Sequence, residues 1–329
     1  MHMKIFFYFL RPYDELACAE RISKEMGIEF GYSTEYPDEH NYQLAAGYDA
    51  VSATPCDLSA PMLERFASVG VKYITCRSIG YDHVDLKRAE ELGLRVSNVS
   101  YPPDGVANFA IMLMLMCCRR IVPILNRAKL QDFTLKGKIG RELSACTVGV
   151  IGTGKIGTTV LQHLSGFGCR LICYDLYQNE TAAKYGEYVD FDTLLEESDI
   201  ITLHTNVTDA NYHLLDEAVF AKMKDGVMII NTARGKLIDS DALIEALESG
   251  KVGAAALDVL ENENGLYYYD RVGDVIPNRE LAQLSSFPNV LLPAHTAFYT
   301  EQAVEHMVRG CFEAASAFSR GESGPHTIL

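Results

Sequence analysis

Short apolar runs alternate with amphipathic stretches along most of the chain, and the two periods predict its elements. In the first hundred residues the runs 4–9, 49–52, 72–75 and 95–97 read as strands, with helical spacing near 15–26, 61–69 and 84–92 between them. The alternation restarts at Thr147. Strands are predicted at 147–151, 170–174, 199–203, 227–231, 253–258 and 290–292, and helices near 156–165, 192–197, 216–223 and 241–248. Gly226 and Gly250 stand where C-terminal caps belong. Such alternation calls for parallel sheets covered by helices on both faces.

The pattern breaks at Ser100-Tyr-Pro-Pro-Asp104, where two prolines forbid helix and Asp104 is placed to cap a helix running through 107–119. This break reads as a domain crossing. After the last predicted strand comes one helical stretch, 300–320, capped by Thr300 and stopped by Gly321. With no strand after it, that helix is expected to pack back on the first domain. The predicted domains are therefore 1–101 with 300–329, and 102–299.

Composition narrows the classes. The chain has 329 residues, enough for two cores, and its 48% hydrophobic and 22% charged content is that of a globular protein. A formal net charge of −15, with no block of Lys or Arg, argues against nucleic-acid and membrane partners. An anionic substrate must then be held by local positive groups. The apolar run 109–118 is about half of the roughly 20 residues that span a bilayer. Nine cysteines lack a CxxC or any regular spacing, so a reducing cytoplasm is expected and no metal site is.

Candidate chemistry starts at Gly152-Thr153-Gly154-Lys155-Ile156-Gly157, a GxGxxG that follows an apolar strand and opens a helix. Gly152 permits the tight turn, Gly154 lets backbone approach a pyrophosphate, and Gly157 seats the helix on the sheet. The next predicted strand ends at Asp175, placed to accept hydrogen bonds from ribose hydroxyls and to repel a 2′-phosphate. Together these predict NAD as cofactor.

Doubly wound sheets gather chemistry past the carboxyl ends of their strands. Three ionisable residues fall there: Arg234, Glu263 and His295. Reduction of a keto acid leaves charge on the carbonyl oxygen, which a histidine can protonate near neutral pH. A carboxylate beside it would support the imidazolium, and an arginine can fork onto the substrate carboxylate and carbonyl. Position alone also fits Arg234 as a capping or ion-pair residue. Nor does it choose Glu263 over Glu261, or His295 over His204.

The segments 150–157, 223–235, 255–263 and 293–297 resemble the D-2-hydroxyacid dehydrogenase family over nearly the whole chain. The finer likeness is to its D-lactate dehydrogenase branch, especially the vancomycin-resistance type, carried by 77–80, 98–101 and 297–303. The resemblance implies a Rossmann dinucleotide-binding domain inserted in a flavodoxin-like substrate domain, both doubly wound parallel-sheet α/β folds. It places catalytic roles on Arg234, Glu263 and His295. It implies that backbone amides near Ile79 and Gly80 hold the substrate carboxylate, and that Tyr101 and Phe298 line its pocket. Asp258 with Thr232-Ala233 would meet the nicotinamide end. A homodimer is also implied, with one domain closing over the other near residues 101 and 299. The chain departs from the family at His204-Thr205-Asn206, where Val-Pro usually follows the histidine, which alters a wall of the cofactor pocket. It also carries Asp175 where the vancomycin-resistance branch tends toward NADPH.

The expected activity is NADH-dependent reduction of a small, pyruvate-like 2-keto acid to the D-2-hydroxy acid. The alternatives are a larger substrate such as phenylpyruvate or 2-ketoisocaproate, with Ala53-Thr54 leaving room for it, and a dinucleotide-sensing interaction protein.

Overall fold

The computed structural model describes residues 3–324 and 326–329. The chain folds into two compact units, one of the residues up to Pro102 together with Tyr299–Leu329, the other of Pro103–Phe298.

The first unit runs β1 (Lys4–Phe7), α1 (Leu16–Met26), β2 (Glu29–Tyr32), β3 (Ala50–Ala53), α2 (Ala60–Ser68), β4 (Tyr73–Cys76), α3 (Leu86–Glu91) and β5 (Arg95–Ser97). Its five strands are all parallel in the order β2-β1-β3-β4-β5, the flavodoxin-like arrangement. Inner strands are covered on both faces and read as continuous apolar runs, as in the fully buried β3. β2 escaped sequence reading because it is an edge strand with only half-buried or exposed residues. A Cβ on its Gly31 would lie 2.3 Å from the Tyr48 hydroxyl, so the strand carries a glycine where propensity argues against one. The C-terminal helix, Glu301–Ser319, packs on α1 and β4, and the Thr300 hydroxyl caps it by accepting from the Ala303 amide at 3.2 Å.

The second unit runs α4 (Asp104–Cys118), α5 (Ile121–Lys129), β6 (Thr147–Ile151), α6 (Lys155–Leu164), β7 (Arg170–Tyr174), β8 (Glu187–Tyr188), α7 (Phe191–Glu197), β9 (Ile200–Leu203), α8 (Glu217–Lys222), β10 (Val227–Asn231), α9 (Ser240–Glu248), β11 (Val252–Leu257), α10 (Arg279–Ser286) and β12 (Val290–Leu291). The seven strands are parallel in the order β12-β11-β10-β9-β6-β7-β8. Strand order reverses between β6 and β9, and ligands of open α/β sheets bind at such a switch point.

Two expected caps are corrected. Pro103 rather than Asp104 holds the N-cap of α4, and Asp104 is the first helical residue, where its charge suits the helix dipole instead. Gly226 lies beyond the end of α8, whose C-cap is Met223, and turns the chain into β10 at φ 76. Gly250 does follow the C-cap of α9 directly. α5, β8 and α10 were not legible. α5 carries Ile121, Val122, Ile124 and Leu125 on one face, but Pro123 within that run argued against a helix, and none of its residues is fully buried. It and the loop after it expose Leu125, Leu130, Phe133, Leu135 and Ile139. Among the described residues, no single helix is long and apolar enough to cross a membrane.

Candidate active site

The first half of the site is a turn made by absence of side chains. β6 ends at Ile151 and the Gly152 amide donates to the Tyr174 carbonyl of β7 at 2.9 Å. Gly152 has φ 93, and a Cβ there would lie 2.7 Å from the His204 backbone. A Cβ on Gly157 would stand 1.9 Å from the Gly152 carbonyl oxygen. Gly154, the N-cap of α6, is different: a Cβ on it would meet nothing within 4 Å. Lys155 and Ile156 open α6, whose first amides have no partner within the helix.

Asp175 is fixed against this turn. Its Oδ2 accepts from the Thr153 amide at 2.6 Å and hydroxyl at 3.2 Å, and its Oδ1 accepts from the Tyr177 amide at 3.0 Å. Thr153 is itself buried, bonded also by Tyr188 Oη at 2.7 Å, so it braces the turn from behind. A carboxylate keeps lone pairs after three such bonds and can still accept from ribose hydroxyls. The open space beside Gly154, the free amides of α6 and the anchored Asp175 fit a dinucleotide.

His204 directly follows β9, and its backbone lies against Gly152. Burial pushes its imidazole down to about 3, and Nε2 is paired with the Thr202 hydroxyl at 2.9 Å. It is neutral near pH 7 and has no imidazolium proton to give. Beyond it, Thr205-Asn206 opens a loop closed by Asn211, whose amide donates to the Asn206 carbonyl at 2.7 Å and whose Oδ1 accepts from the Thr208 amide at 2.6 Å. Side-chain bonds thus shape the turn where the family resemblance expects proline.

The second half is a clamp of polar side chains. His295 Nδ1 and Glu263 Oε1 lie 2.6 Å apart, each side chain about one-fifth exposed. Glu263 Oε2 also accepts from the Leu260 amide at 2.8 Å, which fixes the carboxylate. Glu261 points elsewhere and bonds His213, Tyr212 and Ser240. Ala294 and His295 are consecutive left-handed residues, φ 65 and 57. Non-glycine residues hold that conformation only where their surroundings impose it. Asp258 does so here: its carbonyl accepts from the His295 amide at 2.6 Å, and its carboxylate from the Thr296 and Ala297 amides at 2.8 and 2.9 Å. Burial pushes the Asp258 carboxyl up, against the pull of those two amides and of His295. The same carboxylate holds the histidine loop.

Arg234 follows β10 in extended conformation, and its Nη1 donates to the Ala233 carbonyl at 2.8 Å. Buried Asn231 shapes that turn by donating to the Arg234 carbonyl and accepting from the Ala233 amide. The Thr232 hydroxyl is buried without a hydrogen-bond partner among the described residues. A Cβ on Gly235 would lie 2.0 Å from the Leu260 carbonyl carbon, so only glycine lets the arginine turn rest on the segment leading to Glu263. Tyr268 was missed by sequence reading. Its hydroxyl donates to the His295 carbonyl at 3.1 Å, and its ring and that of Phe298 stand 5.7 and 6.4 Å from the imidazole. The aromatic run 267–269 just after the acidic run was the available signal. In the first unit, Asn98 donates to the Ile79 carbonyl at 2.6 Å and Ser78 to the Gly80 carbonyl at 2.6 Å, which shapes the turn after β4. Tyr101, half-buried, precedes Pro102, where that unit's first segment ends.

Residues 111–297 match the family model described as "D-isomer specific 2-hydroxyacid dehydrogenase, NAD binding domain". The chain is 43% identical over 309 residues, 93% of each protein, to the aromatic 2-oxoacid reductase of Clostridium sporogenes. It is 41% identical over 334 residues, covering 99% of this chain and 100% of the other, to the D-lactate dehydrogenase of Escherichia coli K12. The crystal structure of D-lactate dehydrogenase with NAD+ from Lactobacillus jensenii superposes with a TM-score of 0.85 at 30% identity, covering 99% of this chain and 100% of that one. The chain belongs to the NAD-dependent D-isomer specific 2-hydroxyacid dehydrogenases.

Proposed function

We propose that this chain reduces a small, pyruvate-like 2-keto acid to the D-2-hydroxy acid with NADH. The observation that carries the reading is the 2.6 Å contact between His295 and Glu263 at the carboxyl edge of the cofactor-binding sheet. Nicotinamide supplies the hydride when bound. His295 gives its proton to the carbonyl oxygen as charge develops there, and Glu263 holds the ring and offsets the imidazolium charge. Arg234 orients the substrate carboxylate and polarises the carbonyl. Amides near Ile79 and Gly80 hold the carboxylate, while Tyr101 and Phe298 line the side-chain pocket. Residues 152–157 cradle the pyrophosphate and Asp175 takes the ribose hydroxyls; 204–206, Thr232, Ala233 and Asp258 form the rest of the cofactor wall. Residues 1–101 with 300–329 serve as substrate domain and 102–299 as cofactor domain. The exposed apolar set around α5 supports a homodimer.

The D-lactate dehydrogenase relative spans the full chain and favours pyruvate. The aromatic 2-oxoacid reductase favours a second reading, a phenylpyruvate-sized acid. The test is NADH oxidation with a panel of 2-keto acids, run in parallel with NADPH. Fast turnover of pyruvate with NADH supports the first reading. A kcat/KM for phenylpyruvate at least about tenfold above that for pyruvate replaces it with the second. No turnover of any acid, with NADH still bound, removes both and leaves a dinucleotide-sensing role.

A further inference from the structure

Glu261, the carboxylate that does not reach His295, is the centre of a second polar cluster. Its Oε1 accepts from the Tyr212 hydroxyl at 2.7 Å and lies 2.8 Å from His213 Nε2, and its Oε2 lies 3.3 Å from the Ser240 hydroxyl, whose shorter contact is to Glu280 Oε1 at 2.8 Å. The other ring nitrogen, Nδ1 of His213, faces Asp239 Oδ2 at 3.4 Å. Asp239 is the N-cap of α9, its side chain bonded to the amides of Asp241 and Ala242. α9 is a rigid anchor, since Ala242, Leu243, Ile244, Ala246 and Leu247 are buried on it.

His213 reaches this position under strain. It has φ 54, its ring stacks on Tyr212 at 4.0 Å, and its amide donates to the Lys236 carbonyl at 2.9 Å, just past Arg234. One residue therefore ties the turn after Arg234, the cap of α9 and the segment carrying Glu261. That segment is the one whose Leu260 amide fixes the Glu263 carboxylate. The Tyr212 hydroxyl and the His213 ring both engage Oε1, and they make Glu261 a strut.

We propose that His213 and Glu261 are positioning residues for the reduction, holding the 260–263 segment on α9 so that Glu263 meets His295. This rests on the roles given above to Glu263 and His295. A double-mutant cycle in the full-length enzyme tests it, with kcat and KM for the keto acid and the Kd for NADH measured for each variant. His213→Phe keeps the stack on Tyr212 and removes both polar links. We expect kcat to fall about tenfold, with KM within about twofold and NADH affinity unchanged. His213→Gln, which can still donate to Glu261, should recover most of the loss. In a Glu263→Gln background, His213→Phe should cost less than about twofold, because the contact it supports is already gone. Glu261→Met, which keeps most of the side-chain volume and removes both acceptor oxygens, should repeat this pattern if His213→Phe folds poorly. Parental kcat in both variants, or losses that simply multiply with that of Glu263→Gln, would overturn the proposal while leaving the roles of Glu263 and His295 intact. Parental turnover in Glu263→Gln alone would remove those roles, and this inference with them.

Discussion

The glycine turn after β6 and the histidine loop after β12 lie at the carboxyl edge of one sheet, yet they are built in opposite ways. The first works by leaving side chains out: added Cβ atoms at Gly152 and Gly157 would meet backbone at 2.7 and 1.9 Å. The second works by filling its space with polar groups, with Asp258 receiving three amides and Glu263 receiving one amide and the imidazole. A turn of the first kind presents backbone dipoles to whatever occupies it. A loop of the second kind fixes one side chain, His295, in one orientation. Binding a long dinucleotide suits the former and moving a single proton suits the latter.

The largest expected effect lies in the polar loop. His295→Ala should lower kcat about a hundredfold or more while the Kd for NADH stays within about twofold, since the glycine turn is untouched. Steady-state turnover and a fluorescence titration of NADH check both halves. Parental turnover would take the proton-donor role from His295 and collapse the division of labour between the two regions.

The glycine turn allows a sharper cut within itself. Gly157→Ala puts a methyl carbon into the Gly152 carbonyl, so we expect a loss of stability of about 1–3 kcal/mol together with weakened NADH binding. Gly154→Ala points its methyl into open space, so the melting temperature should hold while the Kd for NADH rises about tenfold. If Gly154→Ala binds NADH as the parent does, close approach of backbone to the cofactor is not what that glycine provides.

The same contrast explains what could be read from sequence. The glycine turn is contiguous, so its spacing after an apolar strand already carried the steric argument. The β-α alternation of the second unit was equally plain, because buried parallel strands are unbroken apolar runs. The polar loop joins residues 32 and 39 apart, Glu263 to His295 and Asp258 to Ala297. Strand order alone brought those residues to one edge, and it left Glu261 and Glu263 equivalent. The choice between them depends on which carboxylate the Leu260 amide and the His213 ring capture, a long-range matter that no local period encodes. Tyr268 was invisible for the same reason. Edge strand β2 failed differently, having no buried face to impose a pattern, and α5 because Pro123 interrupts its apolar run.

The two histidines that follow strands of this sheet, His204 after β9 and His295 after β12, give the last and most specific prediction. His204 lies against the glycine turn, and burial holds its pKa near 3, well below the roughly 6.5 of an unfolded histidine. The unfolded chain therefore takes up a proton near pH 6.5 that the folded protein refuses. The stability associated with neutral His204 is complete above that pH and is lost as pH falls toward about 3, at up to about 1.4 kcal/mol per pH unit. Other groups titrate in this range too, so the informative quantity is a difference. We expect the gap in unfolding free energy between the parent and His204→Gln to shift in favour of the variant, by about 2 kcal/mol, between pH 6.5 and 4.5. Urea titrations at several pH values measure it. Parallel curves would mean that folded His204 takes a proton as readily as the unfolded chain does, and an imidazolium beside the glycine turn would then compete with His295 for the part of proton donor.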